Sequence, residues 1–132
     1  MAIVVQKYGG SSLDGVARIK QVATRITESS HQGYQVVVVV SAMGDSTDHL
    51  LELANKLTNN PDNRELDVLM STGELISATL TAMALNDLGC KAISLTGPQA
   101  GIQTDDQYSK ARIISIETVS YTHLTLPTLV LV

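Results

Sequence analysis

Ala2-Ile3-Val4-Val5-Gln6-Lys7-Tyr8-Gly9-Gly10-Ser11-Ser12 sets the architecture of this chain. The apolar run over 2–6 reads as a buried strand, and it stops at a glycine pair. Val16, Ile19, Val22, Ala23 and Ile26 follow at the spacing of one helix face. Gly33 closes that helix or the loop after it. Gln35 to Ser41 then encloses five consecutive valines. A β-branched run without polar alternation suits a strand covered on both faces, as in the middle of a parallel sheet.

The rest of the chain repeats the rhythm. The polar turn Gly44-Asp45-Ser46 precedes a helix carrying Leu50, Leu51, Leu53, Ala54 and Leu57, with Thr47 or Asp48 as its cap. Asn59-Asn60-Pro61-Asp62 is a turn with proline poised to start the next helix. The helical pattern from Arg64 to Leu88 contains a possible break at Ser71-Thr72-Gly73. Its stretch from Leu75 to Leu85 is apolar almost all round and is expected to be buried. Lys91–Leu95 reads as a third strand, Gly97–Asp106 as loop, and Ala111–Ile116 as a fourth strand. Strands alternating with helices predict an α/β fold, a mainly parallel sheet between helical layers.

Composition narrows the function. The chain has 132 residues, 44% of them hydrophobic, enough for one folded core. With four Tyr, no Phe and no Trp, that core must be aliphatic. A net charge of -4 argues against nucleic acid or an anionic membrane as partner. The single cysteine, Cys90, excludes an internal disulfide and suits a reducing compartment; it is expected to be a small core residue. The first residues are charged too soon for a signal peptide, and no uncharged apolar run is long enough to cross a bilayer. A cytoplasmic protein is the expectation. His31, His49 and His123 show no metal-ligand spacing, so no metal ligands are predicted. Gly-x-Ser-x-Gly is missing, which removes the hydrolase elbow.

Three loops carry the chemistry. At Lys7 to Ser12 a strand ends, two glycines follow and a helix begins. Glycine lets backbone N–H groups approach an anion closely, and a helix start presents unpaired donors. Ser11 and Ser12 can cap the helix or meet phosphate oxygens, and Lys7 can supply positive charge. Neither the Walker pattern nor Gly-x-Gly-x-x-Gly is present. Ser41-Ala42-Met43-Gly44-Asp45-Ser46-Thr47-Asp48 also links a strand end to a helix. In a parallel sheet both loops open on the carboxyl edge, where ligands bind. In the third, Ser71-Thr72-Gly73-Glu74, a carboxylate is placed to hold the ammonium of an amino acid. Each loop also has a purely structural reading, as a strand–helix turn, a capped turn or a helix junction.

Taken in order and spacing, these loops resemble the aspartate kinases of the amino-acid kinase family. Arg64-Glu65-Leu66-Asp67 and Gly97-Pro98-Gln99-Ala100-Gly101-Ile102-Gln103-Thr104-Asp105 strengthen the likeness, which covers roughly 2–117. The resemblance implies a three-layer αβα kinase domain, here incomplete at its C-terminal end. It implies transfer of the ATP γ-phosphoryl group, with Mg²⁺, to the side-chain carboxylate of L-aspartate. That reaction is the first step toward lysine, threonine and methionine. Two anions must be brought together, so catalysis is mostly positioning and charge neutralisation. By position, Lys7 would stabilise the transferring phosphoryl group. Gly9, Gly10 and Ser11 would cradle the ATP phosphates and Ser41 would contact the nucleotide. Thr47 and Glu74 would hold aspartate, with Asp48 and His49 as neighbours.

Residues 1–117 are therefore expected to be the front of a kinase domain from an oligomeric parent enzyme, inactive on its own. The tail 118–132 has no charged residue and matches nothing expected there. Its Thr/Leu alternation suits a strand, but an artefactual or frame-shifted ending is the favoured reading. Two alternatives stand beside the aspartate reading. One is a related kinase acting on glutamate, acetylglutamate, carbamate or a nucleoside monophosphate. The other is a non-catalytic nucleotide-binding or association fragment.

Overall fold

The computed structural model describes residues 2–117 and 128–132. Strand β1 (Ile3–Tyr8) leads through a single 3₁₀ turn (Gly10–Leu13) into helix α1 (Val16–His31) and strand β2 (Gln35–Val40). Helices α2 (Ser46–Leu57) and α3 (Asn63–Asp87) follow, then β3 (Ala92–Leu95). Strands β4 (Ile102–Thr104) and β5 (Ile113–Ile116) precede β6 (Thr128–Leu131). The main sheet runs β1-β2-β6-β3, every neighbour parallel. This is the α/β class expected from sequence.

Alternation along the strands decides what is buried. Val36, Val38 and Val40 face the same side as Val130, and α1 and α3 cover that side with Ile19, Val22, Ile26, Ala78 and Leu85. Each fully buried aliphatic side chain stabilises the fold by roughly 1.5–3 kcal/mol relative to exposure. Cys90 lies in this core as expected. The opposite face carries a smaller cluster, Leu95, Ala100, Leu129 and Leu131, with Val37 and Ile93 against it. The described residues thus supply the sheet and one helical layer.

Several expectations change. Strand β1 is at the sheet edge, so Ile3 and Val5 are 64% and 66% exposed rather than buried. Helix α3 runs unbroken through Ser71-Thr72-Gly73. It is not buried all round either: Ile76 and Met83 are 52% and 66% exposed. A helix lying on a sheet can turn only one stripe inward, and Gly73, Ser77, Ala78, Thr81, Ala82 and Leu85 form that stripe here. Its buried hydroxyls donate one turn back, Ser77 to Gly73 and Thr81 to Ser77, so they cost little. By length and composition alone α3 is apolar enough to cross a bilayer. Its packing on the sheet uses part of that apolarity, 33% of the apolar window being buried.

Pro61 does not start α3 but lies one residue before its cap, Asp62, whose carboxylate accepts the Glu65 N–H at 3.1 Å. Strand β5 forms where Ala111–Ile116 predicts one, but it pairs antiparallel with β4, outside the main sheet. Strand β4 itself lies inside the stretch read as loop. The tail 118–127, with His123, falls outside the described residues. Residues 128–131 form β6 between β2 and β3, with Cys90 Sγ 3.4 Å from Thr128 Oγ1.

Candidate functional site

Strands β1 and β2 are parallel neighbours, so the loops after Tyr8 and Val40 leave the sheet on one edge. Ser41 N–H donates to the Tyr8 carbonyl at 3.1 Å, and Gly44 N–H donates to the Gly10 carbonyl at 2.9 Å. These bonds zip the first loop to the second. The approach is close enough to require glycine. A Cβ at Gly10 would stand 2.8 Å from the Ala42 carbonyl oxygen and 3.1 Å from that of Gly44.

The third motif meets the same point from below. A Cβ at Gly73 would stand 3.1 Å from Ala42 Cβ and 3.9 Å from Ser46 Oγ. Ala42, which no motif argument singled out, is therefore the residue on which all three motifs converge. Ser71-Thr72-Gly73 is a continuous piece of α3 rather than a loop, with Ser71 exposed, Gly73 buried against the second loop and half-buried Glu74 next to it. Asp14 was also missed. Its carboxylate fills the space beside Gly44, whose φ of +49° favours glycine, and a Cβ there would lie 2.6 Å from Asp14 Oδ1.

The predicted binding residues fall into two groups. Gly9, Gly10, Ser11, Ser41 and Thr47 lie on the loops or first turns at this edge, with Lys7 at the exit of β1, while Glu74 lies within α3 next to Gly73. Lys7 is exposed and makes no ion pair among the described residues. Asp48 and His49 are exposed in the first turn of α2. Neither Thr47 nor Asp48 is the cap: Asp45 holds that position, without a side-chain bond to the helix. Ser46 N–H donates to the Met43 carbonyl at 2.9 Å, so among the described residues the Thr47 and Asp48 N–H groups are the ones left for an anion. Ser46 Oγ, next to them, is buried without a hydrogen-bond partner among the described residues.

Arginines flank the first loop. Arg18 Nη1 donates to the Ser11 carbonyl at 3.2 Å. With Tyr8, Ser12 and Arg25 it lines a groove of about 710 Å³. Burial pushes the Tyr8 phenol above its usual value, and the nearby Arg25 charge pulls it back in part. An unfolded tyrosine titrates near 10. The folded chain therefore holds this proton to higher pH, and stability falls as pH rises from about 10 through the folded value. Chemical melts at pH 9 and pH 11 should show an alkaline loss that Tyr8→Phe reduces. An identical loss in both proteins would refute the assignment.

Comparison with known proteins decides what this edge belongs to. The model of the amino acid kinase family matches residues 2–124. The chain belongs to the amino acid kinase family. Among curated members it is 52% identical over 118 residues to the aspartokinase of Geobacillus stearothermophilus. It is 53% identical over 116 residues to that of Corynebacterium glutamicum. These alignments cover 89% and 88% of this chain but only 29% and 28% of the relatives. This amino acid kinase chain thus spans under a third of their length. The crystal structure of aspartate kinase from Synechocystis superposes with a TM-score of 0.86 at 43% identity, over 98% of this chain and 21% of that one. Aspartokinase III of E. coli, solved with aspartate and ADP, shares the fold (TM-score 0.77, 17% identity) over 99% of this chain and 40% of its own.

Proposed function

We propose that this chain forms the nucleotide-phosphate and acceptor side of an aspartate kinase. The observation that carries the reading is the convergence on Ala42. It brings together the glycine loop after β1, the start of α2 and the Gly73 turn of α3, next to which Glu74 stands. Supporting it are relatives named aspartokinase at over half identity, and a fold neighbour solved with aspartate and ADP.

The division of labour follows from charge. Gly9, Gly10 and Ser11 offer backbone N–H groups to ATP phosphates, and Lys7 offers a cation to the transferring group. Glu74 takes the ammonium of L-aspartate, while Thr47 and the free N–H groups of α2 face its carboxylates. The acceptor's side-chain oxygen attacks the γ-phosphorus, the bond to the β-phosphate oxygen breaks, and ADP leaves with that electron pair. An acyl phosphate remains. No three His, Cys, Asp or Glu among the described residues are grouped to cage a metal. Mg²⁺ would therefore arrive on the nucleotide phosphates, its usual habit, to neutralise their charge.

Calorimetric titration of the 132-residue chain with ATP and Mg²⁺ tests this reading. Lys7→Ala should weaken nucleotide binding about 10- to 100-fold, the worth of one charge-assisted hydrogen bond. Unchanged affinity would remove Lys7 from the site. A coupled assay on the isolated chain should detect no aspartyl phosphate, and turnover would show that the rest of the relatives' length is dispensable. The exposed Ile3 and Val5 on an edge strand favour a second reading, in which the chain only associates. Stable assembly without nucleotide binding would select it.

A further inference from the structure

Arg64-Glu65-Leu66-Asp67 opens α3 but takes no part in the three loops. Its last residue makes a long-range hydrogen bond. The Asp67 carboxylate accepts the backbone N–H of Ser109 at 2.6 Å, from 42 positions away. Ser109 lies in the connection between β4 and β5, with a φ of +67°, and is the one non-glycine residue with positive φ among those described. Such backbone is uncommon for serine and persists where the surroundings over-determine it. The charge-assisted bond from Asp67 reaches this residue from outside its own turn.

The connection is stiff in itself. Asp105 Oδ1 accepts the N–H groups of Gln107 at 3.2 Å and Arg112 at 3.1 Å, which closes the turn. The Glu65 carboxylate holds the proton of the neighbouring Arg64 guanidinium more firmly than usual, with a smaller contribution from Tyr108. Strands β4 and β5 bond to each other and not to the main sheet. The place of the hairpin tip is therefore set by the first turns of α3. Asp67 and Glu74 are seven residues apart, so they share one helix stripe, about 10 Å apart along the axis.

We propose that Asp67 is a positioning residue, whose carboxylate latches the hairpin tip to α3 and so stands the hairpin as a wall beside Glu74. The wall rests on the acceptor role of Glu74 proposed above, whereas the latch does not.

Limited trypsin digestion reads the tip directly, because Lys110 and Arg112 are exposed there. In Asp67→Ala, cleavage after these two residues should accelerate about tenfold, the effect of losing one such bond locally. Asp67→Asn keeps an acceptor oxygen and should fall between. Ser109→Gly keeps the donor, relieves the backbone and should cleave no faster than the parent. Equal rates in parent and Asp67→Ala would overturn the latch, as would an acceleration shared by Arg18 and Arg25 in α1, which reports global loosening. Added L-aspartate should then slow tip cleavage in the parent and not in Asp67→Ala. Aspartate that binds by calorimetry yet leaves the tip unprotected overturns the wall. Aspartate that does not bind at all overturns the acceptor reading of Glu74, and the wall with it, while the latch is decided by the ligand-free rates.

Discussion

Gly10→Val should lower the melting temperature by about 10 °C, while Gly9→Ala, one residue away, should leave it nearly unchanged. Position 10 has no room: the first carbon of any side chain would meet the Ala42 carbonyl oxygen at 2.8 Å. That oxygen belongs to backbone, fixed by the bonds from Ser41 to Tyr8 and from Gly44 to Gly10. Relief requires parting the two loops. Overpacking a rigid site costs about 1–3 kcal/mol, and the branched valine places the cost near the upper end. For a chain of this size each kcal/mol is worth roughly 3–5 °C. At Gly9, by contrast, an added Cβ meets nothing within 4 Å, and its φ of -78° suits any residue. Thermal melts followed by circular dichroism compare the two directly. Similar melts for the two variants would refute the close apposition of the loops. Gly10→Val should also abolish nucleotide binding at temperatures where the variant remains folded, since the backbone donors move with the loop.

The same pair of glycines shows how far the sequence could be read. A strand ending at Gly-Gly before a helix is visible without coordinates, and so is its taste for phosphate. What sequence treats as one cradle, structure divides. Gly9 is open to solvent and Gly10 is a contact point between backbones. That distinction depends on Ala42, a small residue with no signature of its own. Glu74 was legible as a carboxylate within a polar interruption of an apolar run. The interruption itself was misread as a break. Gly73 sits there because a Cβ at that position would meet Ala42 Cβ of the second loop at 3.1 Å, not because the helix stops.

Strand order was the harder problem. The valine run was legible as a parallel strand, but not covered on both faces as read: Val36, Val38 and Val40 are buried while Val37 and Val39 are only half-buried. Nothing in Ile3 or Val5 marks β1 as an edge strand, because edge position is a property of the whole sheet. The split of the late strands was equally hidden. Ile113–Ile116 has the composition of a sheet strand, yet all four of its residues are exposed and pair only with β4. Asp67 and Ser109 illustrate the general limit. A helix carboxylate and a turn serine are unremarkable in sequence, and their bond exists only once the hairpin is placed.

Val130→Asp should abolish cooperative unfolding altogether. Strand β6 lies between β2 and β3, and Val130 pairs with Val38 on one side and Ser94 on the other. Its side chain is fully buried, at 0% exposure, in the cluster with Val36, Val38 and Leu85. Among the described residues no cationic side chain is buried, so none is there to pair with a carboxylate. The variant must bury a charge or hold a proton far above the usual carboxylate range, and either route costs about 4 kcal/mol or more. That is most of the stability of a marginal domain. Removal of 118–132 should act in the same direction by a different route, because β2 and β3 would each lose a row of backbone partners and neither could reach the other. The experiment bears on the residues that sequence alone left between two readings. A Val130→Asp chain that melts with the parent's midpoint and steepness would show that 128–131 do not complete the sheet. A melt lost in both variants would make this uncharged tail the central strand on which the layer beneath Gly10 and Gly73 is built.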